Sequence, residues 1–186
     1  NKHLQAVDVG WSEGGVDWLE VETSWSHIRA ALAARTRMDA EGKVRIRFDS
    51  TSTPELVSRV LSCDVTAGTS VTVEKVVTVF TSRDDAVGRP VQSAREALGG
   101  LGGFAELLAN HELAWKHLWE RCEIELAEDD DGESVIAAVR LHAFHVMQSA
   151  APHVRDLDVS VTARGLHGEG YRGHIFWDEL FVFPFL

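Results

Sequence analysis

Reactive side chains crowd into one stretch, "RGLHGEGYRGHIFWDELFVFPFL" (Arg164–Leu186). Two histidines, Tyr171, Trp177 and the carboxylates Glu169, Asp178 and Glu179 sit among glycines there. The richest part is "HIFWDEL". A Trp beside an Asp suits recognition of a polyhydroxylated ring. The indole covers the apolar C–H face of a pyranose, and the carboxylate accepts hydrogen bonds from two adjacent hydroxyls. The same pair has a plainer use: Asp178 as the N-cap of a helix starting at Glu179, with Trp177 as ordinary core. The residues alone leave both open.

Other constellations carry less. His142 and His145 lie one helical turn apart and can face the same way, but zinc needs three or four placed ligands and this helix offers no third. His167, His174 and Asp178 form a comparable trio on a loop. No metal is expected at either. "GLHGEG" (Gly165–Gly170) resembles a nucleotide-binding glycine loop, yet that fingerprint needs a buried strand before it and a helix N-terminus after it. "RDLDVSVTA" and "YRGHIFWD" supply neither. Its glycines fit better as a tight bend beside a ligand or another backbone. "AEDDDGE" invites a calcium reading, but aligning Gly132 to the loop glycine puts Ala127 at position 1 and Ala138 at position 12, where oxygen ligands belong. A solvated acidic loop is the better reading.

The bulk properties narrow the classes. A chain of 186 residues, 45% hydrophobic, is globular, as one domain or two small ones. A formal charge of −11 argues against nucleic acid and against an anionic membrane surface. No apolar stretch approaches the roughly 20 residues of a membrane-spanning helix. With only Cys63 and Cys122 a disulfide framework is excluded, which points to a reducing cytoplasm. Free C-termini are usually polar, whereas Phe181–Leu186 is apolar. The expectation is a piece of a longer polypeptide.

These groups need elements to hold them. The first eighty or so residues read as β, with strands at Val16–Thr23 and Lys43–Ser50. "LVSRVLSCDV", "TAGTS" and "VTVEKVVTVFTS" read as a hairpin, with Val71, Val73, Val77 and Val79 sharing one face interrupted by Lys75. "HIRAALAARTRM" (His27–Met38) is ambiguous, because its alanines favour helix while its neighbours favour sheet; strand is expected. After "TSRDDAVGRP" the pattern turns helical. "VQSAREAL" is broken by "GGLGG" (Gly99–Gly103). A longer helix follows, with Phe104, Leu107, Leu108, Trp115, Leu118, Trp119 and Cys122 at three- and four-residue spacings. Beyond the acidic loop, Ser134–Ala150 reads as another amphipathic helix, ended with the help of Pro152. Strands followed by helices mean α+β or two separate domains.

The segment "ARGLHGEGYRGHIFWDELFVFPFL" closely resembles the signature at the start of the catalytic barrel in glycoside hydrolase family 65. That family contains maltose, trehalose and kojibiose phosphorylases and acid trehalases. The likeness extends through "TSRD", "FAELLANHELAWKHLWERCEIEL" and "VRLHAFHVMQSAAPH", and is looser before Thr81. It implies an α+β chain: the end of an N-terminal β-sandwich at 1–84, a helical linker at 85–128, and the first helix and long loop of a truncated (α/α)6 barrel from 129 to 186. It implies an enzyme that cleaves α-linked glucose disaccharides, trehalose-type favoured, with inversion by phosphorolysis or hydrolysis. The general-acid Glu then lies beyond Leu186, so neither Glu169 nor Glu179 is catalytic and the piece alone is expected to be inactive.

Matched by motif, Trp177 and Asp178 correspond to the pair holding the glucosyl unit, and Phe176 walls that pocket. Gly168, Gly170 and Gly173 are expected to shape the loop, and Arg172 and His174 to brace it. No cofactor is implied beyond inorganic phosphate as co-substrate of a phosphorylase. The expected partners are the disaccharide and the remainder of the polypeptide, with room for a homodimer. The alternative is a non-catalytic carbohydrate-binding or structural piece.

Overall fold

The computed structural model describes residues 2–41, 44–122, 124, 132–150, 168, 174–175, 177 and 179–182. It divides into two compact units, Asn1–Asn110 and His111–Leu186.

The first unit is built on antiparallel strands: β1 (Leu4–Trp11), β2 (Val16–Thr23), β3 (Arg29–Ala40), β4 (Ile46–Thr53), β5 (Leu56–Cys63) and β6 (Val71–Thr81). A four-stranded sheet has the order β1-β2-β3-β6, and β4-β5 form a separate two-stranded sheet. The turn into β2 closes through Gly15 N–H to the Ser12 carbonyl (3.1 Å), with Gly15 at φ +84, a conformation that disfavours any Cβ. The ambiguous alanine-rich segment is a strand, as expected. β2 pairs along one edge of it and β6 along the other, so tertiary pairing overrides the helical preference of its alanines.

Two expectations are corrected. β5 and β6 do not form a hairpin. β5 pairs with β4 across a two-residue turn at Pro54–Glu55, from Thr53↔Leu56 to Ile46↔Cys63. β6 pairs with β3 from Ala40↔Val71 to Ala30↔Thr81. The chain thus leaves the large sheet after Ala40 and re-enters it opposite that residue. The second strand also begins later than expected, at Ile46.

The valines of β6 do share a face, but Val73, Val77 and Val79 are exposed. The opposite face is the core. There α1 (Pro90–Gly100) lies on the sheet, burying Leu98 and Ala94 against Ala31, Ala33 and Val76, with Trp18 and Phe80 packed around them. The two β3 alanines are wholly inaccessible, which lets the helix approach closely. The Thr78 hydroxyl donates to the Ala94 carbonyl at 2.7 Å, satisfying the buried polar group on that face.

The turn after α1 is held from the sheet. The buried Arg35 guanidinium donates to the carbonyls of Leu98 (3.1 Å), in the last turn of α1, and of Leu101 (3.1 Å) and Gly102 (2.8 Å), just beyond it. The next helix, α2 (Phe104–Cys122), begins with the Phe104 N–H donating to Glu74 Oε2 at 2.7 Å.

The second unit contains the later turns of α2 together with α3 (Gly132–Ser149) and α4 (Glu179–Val182). Its described centre is aromatic. Trp115 lies 4.8 Å from Phe144, 6.0 Å from Trp119 and 6.2 Å from His111, between ring centroids, and Ala143 and Met147 are buried nearby in sequence. Both expected helices are present, α3 beginning two residues before Ser134; α2 spans the apolar positions from Phe104 to Cys122, of which Phe104 and Leu108 are exposed. The acidic stretch 125–131 and Pro152 lie outside the described residues.

Candidate functional site

Trp177 stands two residues before the start of α4. Its carbonyl accepts the Leu180 N–H at 3.1 Å, closing the first turn of that short helix. The indole is 68% exposed, and its ring meets Phe181 edge-on, with centroids 5.6 Å apart and planes at 82°. An edge contact of that kind steadies the indole while leaving a face open, the geometry a sugar's C–H face needs. Sequence reading placed Phe181 only in the apolar run Phe181–Leu186. The contact left no signal in the sequence, because α4 is too short to show a period.

Among the other expected residues, His174 is exposed and outside any helix or strand, and Gly168 is half-buried. Phe176, Asp178, Gly170, Arg172 and Gly173 lie outside the described residues, as do His167 and Glu169. Ile175 and Leu180, flanking Trp177, are also exposed (71% and 73%), so the described part of this segment presents apolar surface.

On α3, His142 is exposed and His145 is half-buried beside Phe144, with 5.6 Å between ring centroids. Among the described residues no three His, Cys, Asp or Glu side chains gather as a metal site would require. A groove of about 510 Å³ in the same unit is lined by Trp119, Cys122, Val139 and Arg140 among others. Among the described residues, Trp177 is not part of its lining.

The described carboxylates with displaced titration belong to the first unit. Burial pushes the Glu20 carboxyl above its ordinary value, partly offset by Arg29. Glu22 is held below its ordinary value by hydrogen bonds from His27 and Arg29, each at 2.9 Å. Neither lies in the Trp177 segment. Among the described residues no helix is long and apolar enough to cross a membrane.

Comparison with known proteins gives these features their context. The family profile described as "Glycosyl hydrolase family 65, N-terminal domain" matches residues 1–118, and that described as "Glycosyl hydrolase family 65 central catalytic domain" matches residues 140–186. The second match contains α4, Trp177 and every other expected sugar contact. An "uncharacterized glycosyl hydrolase" of Mycobacterium tuberculosis strain H37Rv is 43% identical over the whole chain, which covers 14% of that protein. The kojibiose phosphorylase of Thermoanaerobacter brockii is 31% identical over 99% of the chain, covering 24% of that enzyme. The trehalose 6-phosphate phosphorylase of Lactococcus lactis subsp. lactis is 30% identical over 90% of the chain, covering 21% of it. The chain thus spans between one seventh and one quarter of the length of these relatives. With the N-terminal profile alone matching well over half of its residues, and an antiparallel sheet with a few helices in that region, the chain belongs to glycosyl hydrolase family 65.

Proposed function

We propose that the full-length protein cleaves an α-linked glucose disaccharide, of the trehalose type first, by inverting phosphorolysis. In that reaction a phosphate oxygen forms a bond to the anomeric carbon on the face opposite the leaving group. The bond from that carbon to the glycosidic oxygen breaks, and a general-acid Glu outside this chain gives its proton to the departing oxygen. Trp177 and Asp178 hold the glucosyl unit next to the scissile bond, and Phe176 walls the pocket. Gly168, Gly170 and Gly173 shape the loop, and Arg172 and His174 brace it.

The reading is carried by the match of residues 140–186 to the family's catalytic domain, in a chain whose Trp177 offers an accessible indole steadied by Phe181. Two of the relatives above bear the names of disaccharide phosphorylases, which favours phosphate over water as the nucleophile. The corresponding architecture has the end of a β-sandwich at 1–84, a helical linker at 85–128 and the start of an (α/α)6 barrel at 129–186. The exposed face carrying Val73, Val77, Val79 and Leu32 supports the sandwich, whose sheets are apolar on the faces they present to one another. Phosphate is the only co-substrate required, and the setting is a reducing cytoplasm.

Turnover of trehalose, kojibiose and maltose by the full-length protein, with and without phosphate, tests this directly. The expected result is phosphate-dependent release of glucose 1-phosphate from trehalose. Equal glucose release without phosphate would make the enzyme a hydrolase, and absence of turnover on all three would favour the non-catalytic alternative.

A further inference from the structure

The end of α1 and its connection to α2 contain four glycines in five residues, Gly99–Gly103, and they are not equivalent. Gly102 and Gly103 are approached closely by carboxylate side chains that any added Cβ would displace. A Cβ on Gly102 would stand 2.0 Å from Glu106 Oε2, and one on Gly103 would stand 2.7 Å from Glu74 Oε2. Gly99 and Gly100 have no such neighbour. Nothing lies within 4 Å of where their Cβ atoms would be, and neither has a positive φ. They weaken the last turn of α1, since glycine is among the poorest helix formers, without gaining a contact.

A segment this rich in glycine has little conformational preference of its own, so something else must select the observed path. Two side chains reach it from adjacent strands. Arg35 of β3 donates to three carbonyls, those of Leu98, Leu101 and Gly102, and is buried. Glu74 of β6 accepts from Phe104 N–H at 2.7 Å. A cation thus sits on the negative C-terminal end of α1 and an anion on the positive N-terminal end of α2, both favourable to the helix dipoles. Arg35 is opposite Val76, and Glu74 lies two residues before Val76, so the two clamping groups come from the same stretch of the β3–β6 pair.

The geometry points to a glycine hinge held shut by two charged side chains. Arg35 and Glu74, rather than the turn's own preferences, fix the path of the chain from Leu98 to Phe104, and releasing Glu74 frees the start of α2 while the sheet stays folded. Glu74 is the releasable half, because Arg35 is buried under the helix and Glu74 lies at its margin.

Hydrogen exchange on the full-length protein tests the clamp. In Glu74→Ala, amides of Phe104–Leu107 are expected to exchange roughly ten- to a hundredfold faster, the span set by losing one hydrogen bond to a charged group. Amides of Val76–Phe80, in the strand beneath α1, should be unchanged. Glu74→Gln, which keeps an acceptor oxygen, should restore most of the protection. Gly103→Ala should reproduce the Glu74→Ala pattern by displacing the carboxylate, and should add little in the Glu74→Ala background. Unchanged exchange at Phe104–Leu107 in Glu74→Ala overturns the clamp. So does a uniform rise that includes β6, which would make Glu74 a general stabiliser.

Discussion

Arg59 of β5 grips Asp17 of β2 along one edge of its guanidinium, Nε at 3.0 and 3.1 Å from the two carboxylate oxygens and Nη2 at 2.7 Å from Oδ1. The same Nη2 donates to the Ser12 carbonyl at 3.2 Å. Both side chains are almost fully buried, so this fork joins the two-stranded sheet to the four-stranded one out of reach of solvent. Bidentate geometry with further hydrogen bonding is the condition under which a buried pair offsets its desolvation.

Removing one member leaves the other charged and unpaired. Arg59→Ala is therefore expected to destabilise the chain by about 3–5 kcal/mol, and Arg59→Lys by less, because an ammonium keeps the charge but not the fork. Replacing both, as Asp17→Asn with Arg59→Met, should recover much of the loss. Urea denaturation of these proteins, together with Asp17→Asn and Arg59→Met alone, measures this. A double variant worse than the sum of the single ones would remove the pairing argument.

Glu20 and Glu22 predict opposite pH responses from neighbouring positions on β2. Burial raises the Glu20 pKa above 4.5, its ordinary value, so its contribution to stability is complete below that value and is lost as pH rises through the folded-state pKa. Glu20→Gln should therefore stabilise the chain near neutrality and lose that advantage in acid. The lowered Glu22 pKa works the other way: its contribution is present above the ordinary value and lost as pH falls through the folded-state pKa. Glu22→Gln should cost stability at neutrality and nothing in strong acid. Melting temperatures across the acid range distinguish the two, and parallel curves for both variants would contradict these assignments.

The exposed valine face gives a third test. Val77→Thr with Val79→Thr keeps β-branched residues in the strand while removing apolar surface. In the 186-residue chain stability should change by no more than about 0.5 kcal/mol per site, and binding of a hydrophobic dye should fall. In the full-length protein, where the sandwich reading covers this face with a second sheet, the same pair should cost more, and equally small effects in both would contradict that reading.

That face also marks the limit of what sequence could tell. Alternation on β6 correctly groups Val73, Val77 and Val79, because successive side chains point to opposite sides of a strand. It says nothing of which side a helix will cover. The covered side carries Thr78 and Glu74, polar residues used by α1 and α2 for a hydrogen bond and a cap. The missed hairpin has a similar origin. Local pattern identifies β5 and β6 as strands, but partner choice is non-local: β3 offers β6 a register running from Ala40 to Ala30, and β4 lies only a two-residue turn away from β5. α2 and α3 were legible because helical periodicity is a local property. In the site, Trp177 was legible by type and motif, while its edge contact with Phe181 depended on a helix too short for periodicity to announce.

The sugar-contact reading turns on Asp178, whose two interpretations respond differently to one substitution. As a glucosyl contact it accepts hydrogen bonds from hydroxyls, and Asp178→Asn removes the charge and turns one acceptor into a donor. A charge-assisted hydrogen bond contributes about 1.5–3 kcal/mol, so kcat/KM of the full-length enzyme should fall roughly ten- to more than a hundredfold at unchanged melting temperature. As the N-cap of the helix that begins at Glu179, Asp178 would lose almost nothing, because Asn caps as well as Asp does. Trp177→Ala supplies the companion measurement. An indole that is 68% exposed contributes little to folding, so its loss should act on turnover more than on stability if it covers a sugar face. Near-normal kcat/KM in both variants would leave the helix-cap reading standing and move the glucosyl site to residues outside this segment.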